Sequence, residues 1–335
     1  MKWINVKENR SGFQFLLKSF FFVAGLFVFD YSIGSLLKYL YFKQNSGPLY
    51  EITYSIDSTK ADLLIIGSST AHHDYHPSPF QNRLGVSYYN TSNDGTSLLY
   101  HYAVLKSILK RYSPKIVILG FDIGEFKSDQ KSYDRLSALL PYYQNHSELR
   151  PIIELRSEFE KIKLLSKIYP FNSTIFSVFI RNPYFTGYNL KRKADDNGYV
   201  PLNRFDNEPM EIDVPDLKFD PDSNKIDFFK SFIKDCKLSN VDLYIVISPR
   251  FIKYPVKDPS VELAKEISGR YNVPFYNYSR DTLFLKHNEY FADRVHLNDN
   301  GAKVFSNMII DRILQNEQKN SVSKKNSWPA DSDKK

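Results

Sequence analysis

A long apolar stretch near the N-terminus constrains this chain most. Between Ser19 and Leu37, nineteen residues include one charged side chain, Asp30. As a helix, this stretch would be roughly 28 Å long, close to the ~30 Å hydrocarbon core of a bilayer. The apolar run as a whole extends over residues 13–42, and we expect it to be a transmembrane anchor in contact with lipid, after a cytoplasmic tail at residues 1–12.

The charges that flank the apolar segment predict its orientation. Basic residues before the segment outnumber those just after it, namely Lys2, Lys7, Arg10 and Lys18 against Lys38 and Lys43. By the positive-inside rule, the N-terminus is then cytoplasmic, and the main domain lies outside the cytoplasmic (inner) membrane.

Two other interpretations of the apolar segment stay open. A cleaved signal peptide needs small residues at its cut, which Ser32 to Gly34 supply only weakly, and apolar residues continue as far as Phe42. A buried helix of a soluble protein would show a polar face, and no polar residue interrupts Phe20 to Phe29. An uncleaved anchor fits the sequence better than either alternative.

The distribution of charge argues against a nucleic-acid surface. The formal net charge is +7, of which the first 18 residues carry +3 and the last 21 carry +2, so the body carries +2. Nucleic-acid binding needs basic residues clustered on the folded body. The one cysteine, Cys236, also excludes an intramolecular disulfide.

Short apolar runs alternate with helical patterns over residues 61–314, after a polar connector at residues 43–60. The predicted strands are residues 61–66, 86–90, 115–119, 241–247 and 273–276, and the predicted helices include 97–112, 260–271 and a final helix from about Asn298 to Leu314. This alternation predicts an α/β domain, a three-layer sandwich whose central parallel sheet is covered by helices on both faces.

The alternation breaks between about residue 125 and residue 224. The first half of this stretch shows helical patterns, and the second half holds five prolines, a density that forbids long regular elements. We expect an inserted helical and loop-rich subdomain here, a candidate lid. Residues 315–335 are rich in Ser, Asn and Lys and have little to bury, which predicts a disordered tail.

A glycine and two serines, Gly67-Ser68-Ser69, follow the first predicted strand. In open α/β sheets, reactive groups gather at the carboxyl ends of the strands. A glycine at such an end lets the chain turn sharply and can present a hydroxyl beside backbone N–H groups. Alone, the motif also fits a plain turn or a phosphate-binding loop.

A possible partner for this hydroxyl, Asp293-Arg294-Val295-His296, lies just before the final predicted helix. A serine becomes a good nucleophile when a neutral imidazole takes its proton, and the imidazole needs an acceptor on its other nitrogen. One loop could supply both groups at this spacing. The three residues Ser69, His296 and Asp293 are therefore the candidate catalytic triad, with an ordinary surface Asp-His pair as the alternative.

Together, in this order, these motifs resemble the SGNH/GDSL hydrolase superfamily, and the resemblance covers residues 61–314. The first block, GSSTAHHDYHP from Gly67 to Pro77, looks closest to that of membrane-anchored, largely uncharacterised bacterial members, although Thr70 stands where those carry arginine. The resemblance implies a flavodoxin-like fold, Ser69 as the nucleophile and no cofactor.

The resemblance also implies an oxyanion hole. Its donors would be the N–H groups of Ser69 and of Gly95, which matches the second block, and a third-block asparagine. Asp122 is the nearest equivalent of that asparagine, and an ionised carboxylate would repel a developing oxyanion. Either Asp122 points elsewhere, or Ser69 and Gly95 form the hole without it.

Three histidines near the first motif, His72, His73 and His76, raise the question of zinc. Their spacing is irregular, and we expect no metal. His73 matches the first block of the similar bacterial proteins without implying a metal, and Arg250 follows a predicted strand. Both are candidate substrate-binding residues.

The resemblance and the anchor together imply a function. We expect a membrane-anchored, extracytoplasmic serine esterase or O-acyltransferase that acts on acyl esters, above all acetyl esters, of a cell-envelope or exported polysaccharide. The alternative is a catalytically inactive SGNH-like module that binds glycan or an envelope assembly partner. A nucleotide-binding role is disfavoured because the phosphate-loop signatures are missing.

Overall fold

The computed structural model describes residues 6–180, 197–205, 219–252 and 257–326. The chain divides into two compact units. The first combines residues 1–50 with residues 136–192, and the second combines residues 51–135 with residues 193–335.

The regular elements follow one another in the following order. The strands are β1 (Leu63–Ile66), β2 (Tyr88–Asn90), β3 (Ile116–Gly120), β4 (Asp242–Ile247) and β5 (Phe275–Asn277). The helices are α1 (Val6–Phe42), α2 (Pro48–Asp57), α3 (Ser69–Asp74), α4 (Pro77–Leu84), α5 (Leu98–Leu109), α6 (Gln130–Asp134), α7 (Arg150–Ile153), α8 (Glu160–Lys163), α9 (Ile175–Ile180), α10 (Ser223–Leu238), α11 (Pro259–Arg270), α12 (Thr282–Leu285) and α13 (Asp299–Asn326). Short 3-10 turns occupy Arg135–Tyr142, Ser147–Leu149, Glu154–Arg156, Tyr169–Phe171 and Asn288–Tyr290.

The second unit is built on a five-stranded sheet in the order β2-β1-β3-β4-β5, and every pairing is parallel. In register, Leu63 of β1 lies between Tyr88 of β2 and Ile116 of β3. The prediction of an α/β fold with a central parallel sheet is confirmed at this level. The arrangement is consistent with a three-layer α/β fold.

Apolar runs make the central strands fully buried. All four residues of β1 and all five of β3 are buried, as expected for a parallel sheet with helices on its faces. Leu63 and Ile65 belong to one core cluster with Phe305 and Ile309 of α13. Each such large apolar side chain contributes about 1.5–3 kcal/mol on burial. This core holds in place the carboxyl ends of the strands, where the candidate site lies.

The first unit contains α1, which is 37 residues long. Among the described residues, the part of it from Gly12 to Phe42 is the one helix that is long and apolar enough to cross a membrane, with a mean hydropathy of 1.8 in its most apolar window. Its side chains are mostly exposed up to Phe29, whereas Leu37, Leu40 and Tyr41 are buried.

The stretch after β3, where an insertion at residues 125–224 was predicted, has no regular strand among its described residues, and the insertion itself stays a prediction. Between residues 130 and 180 the chain forms short helices and 3-10 turns, and a regular helix resumes with α10. Much of the second, proline-containing half of the predicted insertion, at residues 181–196 and 206–218, lies outside the described residues.

Two boundaries differ from the sequence-based prediction. The polar connector at residues 43–60 contains α2, which begins with a proline at its first position and buries Leu49, Ile52 and Ile56 at helical spacing. The final helix continues to Asn326 rather than ending at Leu314, because Gln, Glu and Lys are good helix formers and no Gly or Pro interrupts them. Residues 327–335 of the predicted disordered tail lie outside the described residues.

Candidate active site

A tight turn between β1 and α3 presents Ser69. A Cβ atom on Gly67 would lie 2.5 Å from the Cβ of Ala71 and 3.0 Å from the carbonyl oxygen of Gly120, and one on Gly120 would lie 2.7 Å from the Cβ of Ala71. Larger residues at either glycine would therefore push α3 away from the sheet. The glycines let α3 start directly at the end of β1 with Ser69 as its first residue.

The three predicted catalytic side chains lie in one hydrogen-bonded line. Ser69 Oγ is 2.9 Å from His296 Nε2, and His296 Nδ1 is 2.9 Å and 3.0 Å from the two carboxylate oxygens of Asp293. Because an ionised carboxylate can only accept, Nδ1 carries the proton and Nε2 is free to accept the hydrogen bond from the Ser69 hydroxyl. This is the tautomer that a general base needs.

Backbone groups hold the Asp293 carboxylate in place. The N–H groups of Val295 and His296 each donate to it at 3.0 Å, and the exposed guanidinium of Arg204 pairs with its other oxygen. Burial alone would raise the pKa of Asp293, but the hydrogen bonds from His296 and from the backbone outweigh it and hold that pKa well below its usual value. Asp293 is therefore ionised at neutral pH.

A second carboxyl, Asp74, lies behind the imidazole in the protein interior. It is fully buried and accepts a hydrogen bond from the N–H of Leu297 at 2.9 Å. Burial raises the pKa of Asp74 to about 7. Burial also opposes the charged form of His296, but the hydrogen bond to Asp293 and the negative charge of Asp74 outweigh it, so the pKa of His296 lies above its usual value.

A cleft of about 290 Å³ opens beside Ser69. It is lined mainly by polar residues, among them Thr96 and Ser132, and by Gly95. Gly95 has a φ of +70°, a left-handed conformation that favours glycine. The structure thus brings Gly95 to the cleft at which the Ser69 hydroxyl lies, as the resemblance implied.

Asp122 lines this cleft as well, but it is occupied as an acceptor. Its carboxylate accepts hydrogen bonds from Ser68 and, at 3.1 Å, from Thr70, and it forms an ion pair with the buried guanidinium of Arg250. A carboxylate in this state cannot donate to an oxyanion. Asp122 thus stays at the cleft with its charge offset by Arg250, and an oxyanion hole formed by Ser69 and Gly95 without it stays a prediction.

His73 lies next to the triad without joining it. Its Nδ1 donates to the carbonyl oxygen of Val200 at 2.7 Å, and its ring meets the His296 ring edge-on with centroids 5.3 Å apart. Burial lowers the pKa of His73 to about 4, so it is neutral at ordinary pH. This position beside the catalytic imidazole suits the predicted substrate-binding role, which stays a prediction.

His72, His73 and Asp94 form a cluster whose ligand atoms lie within 4.8 Å of one another, close enough to hold a metal ion. His76, the third histidine of the sequence argument, instead accepts a hydrogen bond from the N–H of Ser78 at the start of α4. Hydrogen bonding explains the cluster without a metal, because His72 Nδ1 lies 2.7 Å from the Asp94 carboxylate and His73 Nδ1 is used by a backbone carbonyl.

Sequence reasoning missed three polar residues of the site. Asp74 lies inside the first block and could have been found as the one acidic residue there. Asp94 precedes Gly95 and could have been found in the same way. Arg204 had no signal, because its partner Asp293 lies 89 residues away and no motif surrounds it.

No protein-family model matches the chain, and no curated protein matches it significantly. The function must therefore be inferred from the geometry of the site, since a fold shared by many activities does not determine one. In that geometry, the side chains of Ser69, His296 and Asp293 are joined by successive hydrogen bonds beside an accessible polar cleft.

Proposed function

We propose that this chain is a membrane-anchored SGNH-type serine esterase or O-acyltransferase. The observation that carries the proposal is the continuous line from Ser69 Oγ through His296 to Asp293, with 2.9 Å at each step. Two further features agree with what the SGNH/GDSL resemblance implies. Ser69 follows the carboxyl end of β1 in a parallel sheet, and His296 precedes the last helix.

The first half of the reaction transfers the acyl group to the protein. Ser69 Oγ attacks the ester carbonyl carbon while His296 Nε2 takes the hydroxyl proton, and the Asp293 carboxylate stabilises the imidazolium that forms. The tetrahedral intermediate then collapses. Its C–O bond to the leaving alcohol breaks, and His296 returns the proton to that alcohol, which leaves an acyl ester on Ser69.

Backbone N–H groups stabilise the negative charge that develops on the carbonyl oxygen. Ser69 is the first residue of α3, so its N–H has no acceptor within that helix. Gly95 lines the same cleft and, under this proposal, supplies the second N–H. Arg250, bound to Asp122, lowers the repulsion that the carboxylate would otherwise exert on the oxyanion.

The second half of the reaction decides between hydrolysis and transfer. His296 takes a proton from the incoming nucleophile, whose oxygen attacks the acyl carbon. The bond from that carbon to Ser69 Oγ then breaks, and His296 returns the proton to the Ser69 oxygen. Water as the nucleophile gives an esterase, and a sugar hydroxyl gives an O-acyltransferase. Both use the same three side chains in the same roles.

The lining of the cleft supports a small acyl group on a hydroxyl-rich substrate. Polar and charged residues, among them Asp129, Lys131 and Ser132, surround a space of about 290 Å³, and Ile123 is the one large apolar residue of its lining. A long acyl chain would need an apolar pocket. An acetyl ester of a cell-envelope or exported polysaccharide meets these requirements.

The N-terminal helix supports the proposed location. We propose that α1 crosses the cytoplasmic membrane once, with the basic residues before it on the cytoplasmic side and the site outside.

The non-catalytic alternative, a module that binds glycan or an assembly partner, has no need of a hydroxyl and an imidazole at hydrogen-bond distance. The short distance between Ser69 and His296 therefore favours the enzyme.

A fluorophosphonate probe tests the proposed chemistry on the full-length, detergent-solubilised protein. The Ser69 oxygen should attack the phosphorus and expel fluoride, so the wild type becomes labelled and Ser69→Ala does not. Ser239→Ala, a substitution just before β4 at the other end of the sheet, should be labelled like the wild type. An unlabelled wild type, or full labelling of Ser69→Ala, contradicts the mechanism.

A further inference from the structure

Five large apolar side chains of the first unit are exposed outside α1. Leu165 and Phe176 are 77% and 80% exposed, and the others are Phe159, Ile162 and Phe179. We call these five residues the apolar set. Elsewhere outside α1, the described part of the chain exposes three more large apolar side chains, at scattered positions. Such a concentration marks an interaction surface rather than chance exposure.

Local spacing places members of the apolar set on common faces. Phe159 and Ile162 are three residues apart at α8, and Phe176 and Phe179 are three apart on α9, so each pair projects from one side of its turn. Val178, between the last two, is buried. The segment thus has a buried side within its unit and an apolar outer side.

Hydrogen bonds to Asp30 fix the position of residues 166 and 167 along the axis of α1. The Asp30 carboxylate accepts from Ser166 Oγ at 2.5 Å and from the N–H of Lys167 at 2.7 Å. Gly34 lies so close to Lys167 that a Cβ atom would collide with it. Leu165, next to Ser166, therefore lies beside Asp30, and α9 also contacts α1.

Asp30 lies near the end of the part of α1 that has no buried position, and beyond it the exposed Tyr31, Leu36 and Tyr39 alternate with buried residues. From Gly12 to Phe29 the helix is exposed over eighteen residues, which corresponds to roughly 27 Å. This length is close to the thickness of a bilayer core of about 27–30 Å. From Gly34 onward, α1 has buried positions. Asp30 and the segment bonded to it then lie at the edge of the hydrocarbon.

We propose that the apolar set is immersed in the lipid of the membrane that α1 crosses, so that residues 159–179 form a second, interfacial membrane contact. This proposal rests on the membrane anchorage proposed above. Its occupant is the bilayer, because the set continues the lipid-exposed surface of α1 at the level where the bilayer ends. Lys161, Lys163 and Lys167, on the same segment, suit anionic headgroups.

Lipid-borne quenchers test the proposal on the full-length chain. In a Cys236→Ala background, single cysteines replace Leu165 or Phe176 and carry an environment-sensitive fluorophore. The protein is reconstituted in vesicles of phosphatidylcholine and phosphatidylglycerol that contain lipids with a nitroxide near the headgroup or, in a parallel set, deep in the acyl chain, the latter for the position in α1. Phe22→Cys in α1 is the positive control, and Leu238→Cys, an equally exposed position of the second unit, is the negative control.

We expect fluorophores at residues 165 and 176 to be quenched at least about twofold more than the one at residue 238. Quenching at residue 22 but not at 165 and 176 overturns this proposal and leaves the anchorage intact. If residue 22 also escapes quenching, the anchorage itself fails. A fluorophore that is shielded yet unquenched at 165, with disulfide cross-links between copies of the unlabelled Leu165→Cys variant, would assign the set to a second chain instead and overturn the lipid proposal.

Discussion

Asp74 forms no hydrogen bond with the imidazole of His296 in the described structure, yet it raises the pKa of that imidazole. It is buried in the interior, and its charge favours the protonated form of His296. Because Asp74 itself has a pKa of about 7, the two groups titrate as a coupled pair. The site therefore gains or loses protons as a unit near neutral pH.

Replacing Asp74 should change the pH dependence of acylation. The wild-type rate of inactivation by a fluorophosphonate should fall at acidic pH as His296 becomes protonated. Asp74→Asn keeps an oxygen for the Leu297 N–H but removes the negative charge, so the pKa of His296 falls and the acidic limb moves to lower pH. The measurement is the inactivation rate across the pH range.

Glu125→Gln is the matched control for this experiment. Glu125 is also a buried carboxyl, with its pKa raised by burial to about 8, and it accepts the N–H of Leu98 at 2.6 Å. It is not among the main groups that shift the pKa of His296. Its replacement should leave unchanged the pH at which the inactivation rate falls on the acidic side. An equal shift of that pH in both variants would contradict the role of Asp74.

At the residue scale, motifs made the core of the site predictable. Ser69 and His296 stand in short patterns next to predicted element ends, so their meeting at 2.9 Å could be expected before any coordinates. The partners of Asp122 could not. Its contacts with Ser68 and Arg250 are decided by packing between distant segments, and such pairings leave no local pattern in a sequence.

Among the elements, the approach of α3 to the sheet depends on glycine. Gly120→Ala places a methyl group 2.7 Å from the Cβ of Ala71, which forces α3 outward and displaces Ser69 from His296. We expect a loss of about 1–3 kcal/mol in stability together with slower fluorophosphonate labelling. Thermal unfolding of the solubilised protein and the labelling rate measure the two effects.

A glycine with free space around it provides the comparison. Nothing lies within 4 Å of a Cβ atom on Gly269 in α11, and alanine is the better helix former. Gly269→Ala should leave labelling unchanged and the unfolding temperature equal or higher. If Gly120→Ala behaves in the same way, close packing at the turn is not what positions Ser69.

The strands were predictable and α2 was not, for one physical reason. Each observed strand overlaps a predicted one, because a buried parallel strand is a continuous apolar run. In α2, the buried residues Leu49, Ile52 and Ile56 are separated by polar ones, and the polar residues dominate a short window. Helical spacing was the signal, and ten residues were too few for it to stand out.

For the whole molecule, the division into two units could not be read from the sequence. Residues 136–192 join the N-terminal segment through contacts such as Ser166 with Asp30, which are 136 positions apart. Alternation of elements predicts where an insertion interrupts a domain, but not what the insertion packs on. That choice depends on long-range packing and hydrogen bonds.

Reporter fusions at the C-terminus test the membrane topology. If α1 crosses once with its basic end inside, alkaline phosphatase fused after Lys335 should be active in the bacterial host, because that enzyme folds outside the cytoplasm. A β-galactosidase fusion at the same position should be inactive. The opposite pair of activities would mean that the proposed orientation is inverted.

Ser69 and His296 are 227 positions apart, one after the first strand of the sheet and the other before the final helix. A chain that is still being synthesised and exported holds the serine long before it holds the imidazole. Under the proposed mechanism, Ser69 of each newly made copy stays unreactive until the segment that carries His296 has crossed the membrane and packed against the rest of the domain. Reactivity towards an acyl ester therefore reports that export and folding are complete.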